Sequence, residues 1–152
     1  MKEIINCTTP EDTFALGERI SSGLRAGSMV LLYGGLGAGK TLLTKGIVAA
    51  LGYDVDEVTS PSFTLVNLYK TDSINVYHID LWRMADTANA SFAVGLDEIL
   101  DDPQAIVVIE WAERLSKRPV SEQILSVKIE GSGDEPRTII LENSEQIEKR
   151  SV

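Results

Sequence analysis

A glycine-rich segment between an apolar run and a helical pattern constrains the fold of this chain most strongly. The apolar run SMVLLY ends at Tyr33, the segment GGLGAGKT follows, and a helical pattern continues through LLTKGIVAALG. Gly34, four further residues, Gly39, Lys40 and Thr41 satisfy the pattern G-x-x-x-x-G-K-S/T. A glycine-rich turn could match this pattern by chance, but the flanking strand and helix patterns are the context that a phosphate-binding loop requires.

The residue types of this segment suit a phosphate group. Glycine adopts positive φ readily and lets the backbone come close to a ligand. Successive amide N–H groups can then converge on an anion, and the N-terminus of the next helix adds its dipole. Lys40 supplies a positive charge for the β- and γ-phosphates, and Thr41 supplies a hydroxyl for a magnesium ion. The segment therefore predicts a phosphate-binding site for a nucleotide with Mg²⁺.

The remaining patterns predict apolar strands that alternate with helices. Thr9 is a candidate N-cap for a helix that starts at Pro10 and that Gly27 can end. Further strands are predicted at SFTLVNLYK, INVYHID and AIVVIE, with short helices at GLDEIL and at AERLSKR. Such an order favours a mostly parallel sheet covered by helices on both faces.

The C-terminal part predicts an antiparallel addition to that sheet. The strands ILSVKIE and RTIILE flank the turn sequence GSGDEP as a hairpin, which suggests antiparallel strands at one edge. Residues 143–152 are polar and are expected to form a frayed tail. With 152 residues, the chain is most simply a single domain over residues 1–152.

Two predicted strands end in an acid. INVYHID ends at Asp80, and AIVVIE ends at Glu110 in the manner of a Walker B strand with Glu in place of the usual Asp. Ligands of open parallel sheets lie at the carboxyl ends of the strands, so both acids are expected to face the glycine loop. Nucleotide hydrolysis needs such carboxylates to hold magnesium and to position water. The alternative for each acid is a solvated strand end.

Three further residues near these acids have open interpretations. His78 shares a strand face with Asp80 and could orient that acid, although a packed, hydrogen-bonded histidine is the more common case. Trp82 and Trp111 follow the two acids closely. Core packing is the default for tryptophan, and a lid or sensor role is the alternative.

Composition excludes several classes of site. The net charge of −9 disfavours direct binding to a nucleic-acid backbone, so any service to RNA would pass through a partner. Cys7 is the only cysteine and His78 the only histidine, which excludes an internal disulfide and argues against a zinc site built from cysteine and histidine. We find no apolar signal core and no membrane-length apolar run, and a cytoplasmic location is expected.

Motif content narrows the class of nucleotide protein. A GTPase would need N-K-x-D and D-x-x-G, and neither string occurs. A AAA-type or helicase motor needs a longer chain. A small-molecule kinase usually has several arginines on a lid, whereas the arginines here are scattered. An ATPase that switches or assembles a partner complex is preferred. The alternatives are a small-molecule kinase and a nucleotide-binding regulator without useful hydrolysis.

Six segments make the sequence similar to a known family. EDTFALG, GGLGAGKT, SPSFTLVNLY, YHIDLWR, GLDEIL and VVIEWAERL together resemble the bacterial TsaE (formerly YjeE) family, nearly end to end. The departures are mild: Ser62, Trp82 and Ala112 stand where the family usually has Thr, Tyr and Pro. Leu68 stands where the family commonly has an acid.

The resemblance implies a role for each matching residue. Lys40, Asp80 and Glu110 would be catalytic, and Thr41, Glu110 and Asp80 would lie on the magnesium side. Ser60, Ser62 and Thr64 would belong to a loop that rearranges with nucleotide state. The nucleotide would be held by Gly35, Leu36, Gly37, Ala38, Gly39, Lys40, Thr41 and Leu42, with Thr9 and Arg137 near the adenine and Trp111 beside the nucleotide.

The resemblance also implies a fold and a function. The fold would be an α/β P-loop NTPase three-layer sandwich, with a mostly parallel central sheet and a small antiparallel edge extension. The protein would be an Mg-dependent ATPase of tRNA N6-threonylcarbamoyladenosine biosynthesis in the bacterial cytoplasm. It would bind the transferase TsaD and its inactive paralogue TsaB, and hydrolysis would let the transferase turn over. It would not modify tRNA itself, and its hydrolysis would be slow without these partners.

Overall fold

The computed structural model describes residues 2–61, 65–82, 95–115, 119 and 121–145. The helices are α1 (Pro10–Ser21), α2 (Lys40–Ala50) and α3 (Leu96–Leu100), and 3₁₀ turns lie at Val55–Glu57 and Ala112–Arg114. The strands are β1 (Lys2–Cys7), β2 (Ser28–Tyr33), β3 (Val66–Lys70), β4 (Asn75–Asp80), β5 (Ala105–Glu110), β6 (Gln123–Glu130) and β7 (Arg137–Glu145). No helix in these ranges is both long enough and apolar enough to cross a lipid bilayer.

The described strands form one sheet in the order β1-β7-β6-β2-β5-β4-β3. The four central strands β6, β2, β5 and β4 run parallel, as predicted. β7 pairs antiparallel with β6 and β1 pairs antiparallel with β7, while β3 pairs antiparallel with β4. The sheet is therefore mixed at both edges, whereas the sequence predicted antiparallel strands at one edge.

The central strands are buried on both faces because helices or turns cover each face. On one face, α1 and α2 pack through Leu16, Ile20, Leu43 and Ile47. On the other, α3 packs through Leu96 and Ile99. This gives the layered arrangement that the alternation of strands and helices predicted.

The N-terminus of α1 follows the predicted capping pattern. The hydroxyl of Thr9 accepts a hydrogen bond from the Asp12 amide at 3.1 Å, and the Asp12 carboxylate accepts one from the Thr9 amide at 3.2 Å. The helix ends at Ser21, six residues before the predicted stop at Gly27. The amide of Ser22 already bonds back to the last turn, so Gly27 instead makes the left-handed turn that enters β2.

Two glycines set the distance between α1 and α2. A Cβ atom on Gly17 would lie 2.3 Å from the carbonyl oxygen of Leu43, and one on Gly46 would lie 2.1 Å from that of Phe14. Backbone atoms cannot yield at such distances, so both positions require glycine. This close contact fixes α2, and with it the glycine loop, against α1.

The chain ends differ from the sequence expectations. β1 was not predicted as a strand, because it is largely exposed and lacks an apolar pattern; Ile4 is 62% exposed. At the other end, β7 continues to Glu145, so residues 143–145 belong to a strand and not to a frayed tail. Residues 146–152 of that expected tail lie outside the described residues.

Candidate nucleotide site

The glycine loop connects the end of β2 to the start of α2. Gly37 and Gly39 have φ values of 78° and 108°, and Gly39 is the N-cap of α2. A Cβ atom would meet nothing within 4 Å at Gly37, so the backbone angle and not crowding explains this glycine. The predicted phosphate-binding residues 35–42 thus form a tight loop and the first turn of a helix, where backbone amides can face an anion.

Two cationic side chains hold the carbonyl groups of this loop. Nζ of Lys40 donates to the carbonyls of Gly34 and Gly35, both at 2.8 Å. The guanidinium of Arg137 donates from Nε to Ala38 at 2.9 Å and from Nη2 to Gly37 at 3.2 Å. The two positive charges therefore offset the partial negative charge of the loop carbonyl oxygens. This favours an anionic ligand on the side of the loop where the backbone amides point.

Lys40 is buried between the loop and an aromatic ring. The side chain is 5% exposed, and its ammonium lies 4.2 Å from the ring centroid of Trp111. Burial lowers the pKa of Lys40, while the negative charges of Glu110, Glu113 and Asp80 oppose that shift. The ammonium thus has nearby carboxylates and an aromatic face to stabilise its charge.

Asp80 and Glu110 lie side by side at the carboxyl ends of β4 and β5, where they are register partners. Both are 3% exposed, so neither is a solvated strand end. The hydroxyl of Thr41 donates to Glu110, with Oε1 at 3.2 Å and Oε2 at 3.0 Å. Asp80 accepts hydrogen bonds from the Ser60 hydroxyl at 3.1 Å and from the Trp82 amide at 2.8 Å.

The chemistry of this donor set fits a magnesium ion. Burial raises the pKa of Asp80, the Glu110 carboxylate raises it further, and the hydrogen bonds from Trp82 and Ser60 oppose the shift. A divalent cation would offset this repulsion between carboxylates. In the described part of the chain no three His, Cys, Asp or Glu side chains form a metal cage of their own. Magnesium commonly uses few protein oxygens together with phosphate oxygens and water.

His78 is fully buried and hydrogen-bonded. Its Nε2 lies 2.5 Å from Oε2 of Glu110, and its Nδ1 lies 3.0 Å from the hydroxyl of Tyr69. The acid that it contacts is therefore Glu110 on the neighbouring strand, and not Asp80 on its own strand. Sequence reasoning missed Tyr69; the pairing of β3 with β4, which brings it beside His78, depends on strand register.

Trp82 and Trp111 meet over the site. Their ring centroids are 4.7 Å apart, and Trp82 is 39% exposed. Trp111 has a φ of 60°, a strained angle for a bulky residue that turns the chain directly after Glu110. Both rings line a cavity of about 350 Å³ together with Lys40, Thr41, Ser60, Asp80 and Glu110. The tryptophans thus lie at the mouth of the site.

A second cavity, of about 170 Å³, lies on the other side of the loop. It is lined by Thr9, Leu42 and Arg137 among others, the residues expected near an adenine or on the loop. Thr9 already caps α1, and Arg137 already bonds to the carbonyls of the loop and of the β6–β7 turn. Thr9 and Arg137 therefore line this cavity, and their polar groups also hold α1, the loop and the turn in place around it.

The expected switch residues are only partly described. Ser60 contacts Asp80, as given above. Ser62 and Thr64 lie outside the described residues.

Comparisons with known proteins agree with this architecture. The family profile described as "Threonylcarbamoyl adenosine biosynthesis protein TsaE" matches residues 7–139. The chain is 39% identical over 127 residues to the tRNA threonylcarbamoyladenosine biosynthesis protein TsaE of Mycobacterium tuberculosis, covering 79% of this chain and 74% of that protein. It is 35% identical over 130 residues to the TsaE protein of Bacillus subtilis, covering 86% of this chain and 78% of that protein.

A solved structure extends the comparison to the whole fold. The crystal structure of Bacillus subtilis YdiB superposes with a TM-score of 0.71 at 28% identity, over 99% of this chain and 90% of that one. The profile match over residues 7–139 and the identity to the two TsaE proteins show that the chain belongs to the TsaE family.

Proposed function

We propose that the protein is a magnesium-dependent ATPase that serves tRNA N6-threonylcarbamoyladenosine biosynthesis. The family match and the names of the relatives support the pathway. One observation carries the ATPase assignment: the glycine loop, Lys40, Thr41 and the acids Asp80 and Glu110 converge around one cavity. This combination of a cation, a hydroxyl and two carboxylates is what phosphoryl transfer from a nucleotide requires.

The residues divide the work by their chemistry. Loop amides and Lys40 would bind and orient the phosphates, while Thr41, which donates to Glu110, and the register partners Glu110 and Asp80 would hold the magnesium ion. A bound magnesium ion supplies charge neutralisation at the phosphate oxygens. Asp80 would orient an attacking water and accept its proton, and burial, which raises the pKa of this carboxyl, supports the second role. Trp111 lines the cavity, with its ring centroid 4.2 Å from the Lys40 ammonium.

The proposed partners are the transferase TsaD and its inactive paralogue TsaB. An acidic chain of net charge −9 is poorly suited to hold tRNA, so the tRNA surface would belong to these partners. ATP binding would support the assembly, and hydrolysis would allow the transferase to turn over. The proposed location is the bacterial cytoplasm.

Hydrolysis and capture assays test this function together. Purified protein is incubated with Mg-ATP, alone and with TsaD and TsaB, and the release of ADP and phosphate is measured. We expect slow release by the protein alone, faster release with the partners, and capture of the pair that differs between ATP and ADP. Asp80→Ala is expected to abolish the stimulated release.

An experiment with labelled ATP distinguishes the proposed ATPase from a small-molecule kinase. If the γ-phosphate appears on a metabolite from a cell extract and not on water, the protein is a small-molecule kinase and the proposal is wrong. Stimulated hydrolysis that persists in Asp80→Ala would contradict the role given to that acid.

A further inference from the structure

A buried chain of side chains leads from Glu110 to the segment that carries Ser60. His78 is 0% exposed, and its Nε2 lies 2.5 Å from Oε2 of Glu110. Its Nδ1 lies 3.0 Å from the hydroxyl of Tyr69, which is 3% exposed. That hydroxyl lies 3.2 Å from the carbonyl oxygen of Thr59, the residue before Ser60. A continuous hydrogen-bonded path thus connects β5, β4 and β3 to the segment after α2.

Hydrogen-bond chemistry gives this path a direction. A carboxylate only accepts, so Nε2 of His78 carries the hydrogen that it donates to Glu110. In a neutral imidazole, Nδ1 is then an acceptor, and the hydroxyl of Tyr69 donates to it. The side-chain Nδ2 of Asn67 donates to the Tyr69 oxygen at 3.3 Å. The single Tyr69 proton therefore has two acceptors, the imidazole and the carbonyl of Thr59, and its position depends on both.

Both site acids are tied to the same short segment. Glu110 is held at its two oxygens by Thr41 and at Oε2 also by His78, which fixes the plane of its carboxylate. Asp80 accepts from the hydroxyl of Ser60. Neighbouring residues of one segment, at 59 and 60, thus anchor the two acids by separate routes, one direct and one through Tyr69 and His78.

We propose that Tyr69 and His78 form a positioning relay that fixes the Glu110 carboxylate for the magnesium–nucleotide complex. The relay also links Glu110 to the segment at Thr59 and Ser60, so the two acids are set together. This inference rests on the proposed function, because a magnesium-bound nucleotide is what Glu110 would meet. Tyr69 and His78 act through Glu110 and are positioning residues.

Tyr69→Phe tests the relay with the smallest change. The variant removes one hydroxyl and keeps the ring that packs against Tyr53 with centroids 4.9 Å apart. ATP affinity is measured with magnesium and with EDTA, and kcat is measured with TsaD and TsaB present. We expect the gain in affinity that magnesium provides to fall at least about fivefold, with kcat falling similarly, because His78 loses its hydrogen bond with the Tyr69 hydroxyl. Affinity in EDTA should stay unchanged.

Tyr77→Phe is the matched control. Tyr77 lies on β4 next to His78, and its hydroxyl donates to the half-buried carboxylate of Asp102 at 2.8 Å, outside the relay. The variant should retain both the magnesium dependence and kcat of the wild type. A loss in Tyr77→Phe equal to that in Tyr69→Phe would overturn the proposal.

Substitutions at His78 test the direction of its hydrogen bond to Glu110, and a double variant at Ser60 and Tyr69 tests whether the two acids are coupled. His78→Gln keeps an N–H donor within reach of Glu110 and should recover most of the magnesium dependence that His78→Leu loses. The Ser60→Ala and Tyr69→Phe double variant should differ from the product of the single effects, because both changes act on one segment.

Three further outcomes would contradict the relay. One is wild-type magnesium dependence and kcat in Tyr69→Phe. Another is a loss of ATP affinity that is equal with magnesium and with EDTA, which would indicate a structural role alone. If the wild type itself binds ATP without any dependence on magnesium, the proposed function fails first, and the relay fails with it.

Discussion

Arg137 offers the sharpest test of how the glycine loop is built. Its guanidinium donates to the carbonyls of Ala38 at 2.9 Å and Gly37 at 3.2 Å, and to Gly133 in the β6–β7 turn at 3.1 Å. The side chain therefore fastens the loop to the hairpin. We expect Arg137→Met to release the loop carbonyls, so that the loop loses the arrangement proposed to bind phosphate.

The expected loss of ATP binding in Arg137→Met follows from the two hydrogen bonds that Arg137 donates to the loop. Hydrogen bonds from a charged donor contribute about 1.5–3 kcal/mol each when buried, and these are partly exposed, so we assign about 1 kcal/mol to each. Loss of both contacts should weaken ATP binding by about 2 kcal/mol, or roughly 30-fold. Arg137→Lys should recover only part of this loss, because an ammonium lacks the planar fork that reaches two carbonyls.

Isothermal titration with two ligands separates this role from a contact with adenine. If Arg137 acts through the loop, Arg137→Met should weaken binding of inorganic triphosphate as much as binding of Mg-ATP. Lys128→Met on the same hairpin is the control, since Lys128 is exposed and lies 3.6 Å from Glu130. Wild-type affinity for inorganic triphosphate in Arg137→Met would refute the loop argument and favour a direct contact with the base.

Three further changes have defined outcomes. Lys40→Ala should cost about 1.5–3 kcal/mol of ATP binding by calorimetry, and unchanged affinity would remove the basis for the site. Gly46→Ala should lower the free energy of unfolding in urea by about 1–3 kcal/mol, because its Cβ would lie 2.1 Å from the carbonyl oxygen of Phe14; equal stability would contradict the close helix contact. Hydrogen bonds, first from Asn75, hold the pKa of Asp102 below its ordinary value. Its stabilising contribution is thus complete above that value and is lost as pH falls below about 4, and Asp102→Asn should remove this part of the acid dependence of unfolding.

The sequence predicted those parts of the fold in which local and global preferences agree. The bounds of β2 and β5 matched the predicted runs, because strands buried on both faces are continuously apolar. The N-cap at Thr9 was also predicted correctly, because a hydroxyl residue before Pro and two acids is a local sequence signal. The glycine loop was found by its residue spacing together with the strand and helix patterns on either side of it.

The remaining features depend on contacts between distant residues. β1 is stabilised by pairing with β7, and its own residues carry no strand pattern. The contact of His78 with Glu110 follows from the register of β4 and β5, which a single sequence does not specify. Arg137 lies 99 residues from Ala38, so its hydrogen bonds to the loop could not be inferred from local pattern.

The pairing of β1 with β7 has a consequence for synthesis on the ribosome. Cys7 of β1 pairs with Arg137 of β7, so β1 can pair only after nearly the whole chain has been synthesised and β7 has left the ribosome. Closing so long a loop is slow, and we expect the nascent chain to hold its first strand unpaired until then. Because Arg137 opens that late partner, ribosome-stalled chains ending at Glu130 should fail to retain ATP, whereas released full-length chains should acquire it.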